Sequence, residues 1–223
     1  PARVAAALVF EPALAGGRVA RARKGVGTLT LDVAGRAAHA GREPHLGRSA
    51  VAALAELVGR VEALAGPAAG TTVTVTSVAG GSAPNVVPSA ATARVDLRAD
   101  SDREAARVVA GARAAAAEVA ARREVAIEVG GGVHRPPKPV DAASEALFEA
   151  YRAAGQRVGV AIDWADAGGA SDANLLAAAG VPVLDGLGAV GGGLHAPGEY
   201  ALIASLDERA ALAAALMAGL ATR

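Results

Sequence analysis

The chain contains no cysteine, which rules out disulfides, thiol nucleophiles and Cys-type zinc sites, and leaves the cellular compartment open on that count. Aromatic residues make up only 2% of the sequence, so a core drawn from the 52% apolar residues has to pack with Ala, Val and Leu. Neither sign of charge is in excess: 22 basic and 22 acidic residues cancel, which argues against nucleic acid or an anionic membrane as partner. No apolar run approaches the roughly 18 residues needed to cross a bilayer. The apolar N-terminal stretch is cut short by Glu11-Pro12 and does not read as a signal peptide, so a cytoplasmic protein is expected. At 223 residues the chain is long enough for one large domain or two small ones, each with a real core.

What is present sorts by texture. Residues 5–10 read as a short, fully buried strand ended by Glu11-Pro12, because proline cannot donate to a ladder. Gly16-Gly17 and the basic stretch 21–25 read as a connection. From Gly27 onward Leu29, Leu31 and Val33 alternate with Thr28, Thr30 and Asp32, the period of a half-buried strand. The loop Gly35–Gly41 leads to a helix whose apolar face is Val51, Leu54, Leu57, Val58, Val61 and Leu64, closed by Gly66-Pro67. A strand near 72–78 and a turn at 80–85 follow, and then a strand with Ala93, Val95 and Leu97 on one face and Arg94, Asp96 and Arg98 on the other. Ser101-Asp102-Arg103-Glu104 is a capping box, and Val125, Ile127 and Val129 mark a fourth strand. The order β-α-β-β-α-β, with every strand apolar on one face, calls for two helices over one side of a four-stranded antiparallel sheet, the ferredoxin-like plan.

Pro136-Pro137-Lys138-Pro139 is a stiff linker and a domain boundary. Beyond it come a helix from Asp141 with Leu147, Phe148 and Tyr151, a strand over 158–164, and the polar run 166–172. A short helix through Leu175 and Leu176, a buried strand over 181–184 and a second capping box at Ser205–Glu208 complete the chain. The fold class is therefore α/β: residues 1–24 and 136–223 form one part, and the ferredoxin-like unit 25–135 is inserted between them.

The glycine-rich loop 191–200 carries His195 just beyond the buried strand. Residues 186–191 match G-x-G-x-x-G, but glycine, His195 and Pro197 follow where a dinucleotide site needs a helix N-terminus to meet the pyrophosphate, so that reading is rejected. Metal-assisted hydrolysis fits better. Glu11 and His195 both follow buried strands, where open α/β sheets bind ligands, and a carboxylate with an imidazole suits zinc. Two ligands are too few for a dinuclear site.

Six short motifs occur in order: residues 9–12 (Val-Phe-Glu-Pro), 35–41 around His39, 85–88 (Asn-Val-Val-Pro), 95–98 (Val-Asp-Leu-Arg), 171–173 (Ser-Asp-Ala) and 194–200 around His195. Together they resemble the dinuclear zinc peptidases of the M20 type: glutamate carboxypeptidase, nearest in likeness, then acetylornithine deacetylase and succinyl-diaminopimelate desuccinylase. The resemblance implies a zinc-binding α/β catalytic domain with an inserted ferredoxin-like lid that dimerises. It implies Glu11 and His195 as terminal ligands of two Zn2+ ions, with Co2+ or Mn2+ as substitutes. His39 corresponds to a lid histidine that reaches the neighbouring subunit's site and stabilises the oxyanion, and Asn85 and Arg98 to residues holding a substrate carboxylate. From the residues alone, Arg98 paired with a neighbouring strand's acid and Asn85 as a turn residue are the plainer readings.

The chain also departs from the family pattern. A His-x-Asp motif, a bridging Asp and a Glu-Glu pair precede the Glu11 position in the family, whereas residues 1–10 contain no His, Asp or Glu. The chain thus resembles the C-terminal part of such an enzyme, and His45 and His134 receive no role. The expected activity of the complete enzyme is cleavage of an N-acyl amino acid or the C-terminal residue of a small peptide by metal-activated water, in a homodimer, with this chain inactive alone. The alternative is a non-catalytic dimerisation or binding module derived from that family.

Overall fold

The computed structural model describes residues 4–66 and 70–221, which divide into two units: Gly25–Arg135, and the chain before it together with the chain after it. In chain order the first elements are β1 (Ala7–Val9), β2 (Val19–Arg23), β3 (Gly25–Ala34), α1 (Ala50–Glu62), β4 (Thr72–Gly80), β5 (Ala90–Ala99), α2 (Asp102–Arg123) and β6 (Ala126–Arg135). After them come α3 (Ala142–Val158), β7 (Trp164–Ala167), α4 (Ala173–Ala178), β8 (Val183–Asp185), β9 (Gly191–Gly192), β10 (Tyr200–Ala201) and α5 (Ile203–Ala221). Among the described residues no helix is long and apolar enough to cross a membrane.

In the unit Gly25–Arg135 the alternating strands form one antiparallel sheet in the order β4-β5-β3-β6. The inward row Leu29, Leu31, Val33, Ala93, Val95 and Leu97 is buried against Leu54, Leu57 and Val61 of α1 and Val108 and Val119 of α2. Each fully buried Leu or Val stabilises by roughly 1.5–3 kcal/mol, which is how a nearly aromatic-free sequence secures this sheet. Both helices start on side-chain caps: Ser49 accepts from Ala52 N at 3.1 Å and Ser101 from Glu104 N at 3.3 Å. Val51 is more exposed than its place on the expected apolar face implied. Helix α1 ends at Glu62, and Pro67 lies outside the described residues.

The other unit is a mixed sheet in the order β1-β8-β2-β7. Strands β1 and β8 run parallel, as do β2 and β7, while β2 meets β8 antiparallel at Ala20 and Asp185. Its core joins Leu184 and Leu187 to Leu147, Phe148 and Tyr151 of α3 and Leu212 and Leu216 of α5. Phe148 stacks on Trp164, ring centroids 4.0 Å apart.

Four expectations need correcting here. Strand β1 is shorter than 5–10 and only half-buried: it pairs on one side alone, and Leu8 borders an apolar groove of about 690 Å³ shared with Ala146, Leu147, Pro182 and Met217. The stretch expected as a connection is strand β2, with Val19 and Ala20 buried. The strand expected over 158–164 is β7, starting at Trp164, because α3 runs on to Val158 and turns at Gly159 in the left-handed conformation (φ 77°). Ser205 does not open the last helix. It sits inside α5, its hydroxyl donating to Leu202 O at 2.6 Å and accepting from Val190 N at 2.9 Å.

Candidate functional site

In the Gly25–Arg135 unit the β3–β5 ladder continues past Ala34 and Ala90 into two loops that lace together. Gly35 N donates to Ser89 O, Val87 N to Ala38 O, and Ala40 N to Asn85 O, at 2.8–2.9 Å, and His39 bridges Val86. A side chain at Gly35 would put its Cβ 2.1 Å from Arg48 O, so the close approach of the backbone at Arg48 to the first of these loops needs glycine. The lacing sets His39 and Asn85 side by side, both exposed. The His39 ring is turned by its own backbone: Gly41 N and Arg42 N both donate to Nδ1, at 3.1 Å each.

Arg98 stands apart from this pair. It faces Val26 on β3 and Thr72 on β4, at the other end of β5 from Ala90, roughly 27 Å away at about 3.4 Å per strand residue. Its guanidinium is forked onto Asp96 of the same strand, Nε to Oδ2 at 2.8 Å and Nη2 to Oδ1 at 3.0 Å, with both side chains about two-thirds covered. A substrate carboxylate at Arg98 would compete with that partner.

In the other unit Glu11 and His195 both lie past the carboxyl ends of the paired strands β1 and β8. Leu187 N donates to Val9 O and Gly188 N to Glu11 O, and a Cβ at Gly188 would come within 2.7 Å of Glu11 O, so the turn after β8 is pressed against Glu11's backbone. His195 occupies the hairpin between β9 and β10 with φ at 63°, a left-handed conformation uncommon for a residue other than glycine. It is exposed, and Glu11 half-buried. Carboxylate and imidazole suit zinc, but no group of three or more His, Cys, Asp or Glu placed to hold a metal ion occurs among the described residues.

Sequence reasoning missed a wholly buried charged group of this unit. Asp185, wholly buried at the end of β8, accepts from Arg23 Nε at 2.5 Å, Ser171 Oγ at 2.8 Å and Gly186 N at 2.6 Å. Asn174, also fully buried, donates to Lys24 O at 3.1 Å and Pro136 O at 2.7 Å, and Arg23 and Lys138 exchange backbone hydrogen bonds at 3.0 and 2.9 Å. Burial holds the Lys138 amine below its usual range, a shift that Asp185 opposes. On the surface Arg21 forks onto Asp166 at 2.7 Å and lowers that carboxyl's pKa. Ser171 was legible as part of a motif, whereas Asp185 and Arg23 offered only a charge inside a buried run and a charge in a basic run.

Residues 21–124 match the peptidase dimerisation domain family, M20_dimer. Carboxypeptidase G2 of Pseudomonas sp. (strain RS-16) is 29% identical over 218 residues, covering 94% of this chain and 51% of that protein. The chain is similar in sequence to M20-type peptidases. It spans about half the length of this curated relative. In fold it is similar to a tripeptidase from Staphylococcus aureus subsp. aureus Mu50, with TM-score 0.86, 20% identity, and coverage of 100% of this chain and 58% of the other. It is likewise similar to aminopeptidase PepT from Bacillus cereus ATCC 10987, with TM-score 0.84, 22% identity, and coverage of 96% and 56%. The M20 similarity and the α/β fold with an inserted lid/dimerisation domain are thereby in agreement with the sequence reading.

Proposed function

We propose that this chain is part of a metal-dependent amidohydrolase acting on an N-acyl amino acid or small peptide, assembled as a homodimer through the Gly25–Arg135 unit. The observation that carries it is the similarity to carboxypeptidase G2 along 94% of the chain. Glu11 offers a carboxylate oxygen and His195 an imidazole nitrogen to Zn2+, each as one ligand of a different ion. A zinc site of this kind supplies activated water and polarises the scissile carbonyl. His195 sits exposed on the hairpin with a left-handed backbone.

The lid residues divide into two arms. His39 and Asn85 travel together on the laced loops and reach a site in the second copy, where His39 donates to the developing oxyanion. Arg98 lies at the opposite end of β5, so a carboxylate gripped by both Asn85 and Arg98 takes them from different copies. The non-catalytic reading, a dimerisation module, draws on the lack of a three-ligand cluster among the described residues and on the family match to 21–124.

The test uses the polypeptide encoded by the whole reading frame that contains this chain, loaded with zinc and offered N-acyl amino acids. His195→Ala should lower kcat/KM at least about 100-fold, beyond the roughly 10- to 100-fold of losing an outer-shell partner. Hydrolysis that survives His195→Ala at saturating zinc overturns the metal assignment. A wild-type dimer that hydrolyses none of these substrates favours the non-catalytic module.

A further inference from the structure

We infer that the turn 39–42 is a positioning device that fixes the His39 ring in one tautomer, with Nε2 carrying the proton and presented outward as a donor. The argument rests on two contacts. Gly41 N–H and Arg42 N–H both point at His39 Nδ1, each at 3.1 Å, and a nitrogen that accepts from two amides cannot itself carry a hydrogen. A neutral imidazole has one proton to place, so it resides on Nε2. The same turn is anchored at both ends: Glu43 N donates to His39 O at 3.0 Å and Ala40 N to Asn85 O at 2.9 Å, so the amides cannot swing away from the ring without unlacing the two loops.

The chemical consequence is a restriction of role. A ring held this way offers an N–H to an oxygen that gains negative charge, while Nδ1 is already taken up by two amide donors. A histidine on an unconstrained exposed loop would exchange between tautomers and serve either role. This deepens the proposed oxyanion role of His39 and rests on it only for the identity of the acceptor. The tautomer itself is a property of this chain and is read without any substrate.

The experiment is long-range ¹H–¹⁵N correlation of the chain labelled with ¹⁵N-histidine, the four histidines being assigned from the spectrum that loses one in His39→Gln. His39 should show a pyridine-type Nδ1 and a pyrrole-type Nε2 as a single species. An averaged pair of resonances, or a proton on Nδ1, overturns the inference. Gly41→Pro removes one of the two donors, while Gly41→Ala keeps it and places a Cβ in ordinary contact, 3.6 Å from His39 Cε1. The proline variant should shift the tautomer ratio towards Nδ1–H by roughly two- to tenfold, the factor carried by one hydrogen bond, and the alanine variant should leave it unchanged. Equal ratios in both variants overturn the positioning role, and the wild-type spectrum decides the tautomer even where Gly41→Pro fails to fold. A fixed Nε2–H ring in a protein that hydrolyses nothing would overturn the proposed function and leave this inference standing.

Discussion

Replacing Asp185 by alanine should destabilise its unit by about 3–5 kcal/mol, the cost of breaking a buried ion pair from one side. The figure follows from what is left behind. Asp185 is 0% exposed and Arg23 8%, so neither partner can fall back on water. Without the carboxylate, Arg23 keeps the bond from Nη1 to Gly169 O at 3.1 Å, and the Ser171 hydroxyl and Gly186 amide lose their acceptor. Each orphaned polar group costs about 1–3 kcal/mol, which keeps the total at the upper end of single-substitution effects. Removing both charges in Asp185→Ala with Arg23→Met should recover part of the loss, because apolar replacement of a whole buried pair is neutral to stabilising. The chain supplies its own probe. Its one tryptophan, Trp164, lies in this unit and stacks on Phe148, so its fluorescence in urea follows this unit rather than the Gly25–Arg135 sheet. The expected result is a lower midpoint at unchanged slope, with coupling between the two substitutions of at least about 1 kcal/mol. A single variant within about 0.5 kcal/mol of wild type, a purely surface effect, would refute the reasoning, as would strict additivity in the double variant.

Three further substitutions test local geometry. Asp141 caps α3, its Oδ1 accepting from Ser144 N at 2.7 Å, and that backbone bond lowers its carboxyl below the ordinary 3.8. With the folded value depressed, the stabilisation is full above 3.8 and is lost as pH falls through the folded value, so Asp141→Ala should cost about 1 kcal/mol at neutral pH and progressively less in acid; Trp164-monitored urea midpoints with an equal gap at both pH values would contradict this. Gly35→Ala forces Arg48 O away from a Cβ 2.1 Å distant and should cost about 1–3 kcal/mol, while Gly59→Ala on α1, with no atom within 4 Å, should stabilise by up to about 1 kcal/mol, both measurable as amide exchange in β3 and β5.

The sheet of Gly25–Arg135 was legible because each strand states its inward face every second residue, as Leu29, Leu31 and Val33 do, and no partner far along the chain alters that choice. Strand β2 was not legible for the opposite reason. Arg23 reads as a solvated charge, and its buried carboxylate partner, Asp185, comes 162 residues later. The Ser205 pattern failed for a similar cause: four residues matched a capping box, but the hydroxyl is taken up by Val190 N and Leu202 O, and the helix had already begun at Ile203.

The candidate site divides along the same line. Glu11 and His195 stood out as polar residues just past strands, which composition alone can mark. What ring orientation His39 adopts depends on the amides of Gly41 and Arg42, and amides leave no trace in a residue's identity. Arg98 is the instructive intermediate. Its pairing with Asp96 is an i, i+2 contact on one strand face, readable from period two, although the acid sits on the same strand rather than a neighbouring one. That pairing also orders the two arms of the proposed site. Asn85's side chain has no hydrogen-bond partner among the described residues to surrender, whereas a carboxylate ligand at Arg98 must displace an acid already seated in a two-bond fork. The His39–Asn85 arm therefore meets a substrate with no internal ion pair to break, and the Arg98 arm can do so only if Asp96 first swings clear or shares the guanidinium through its remaining N–H groups.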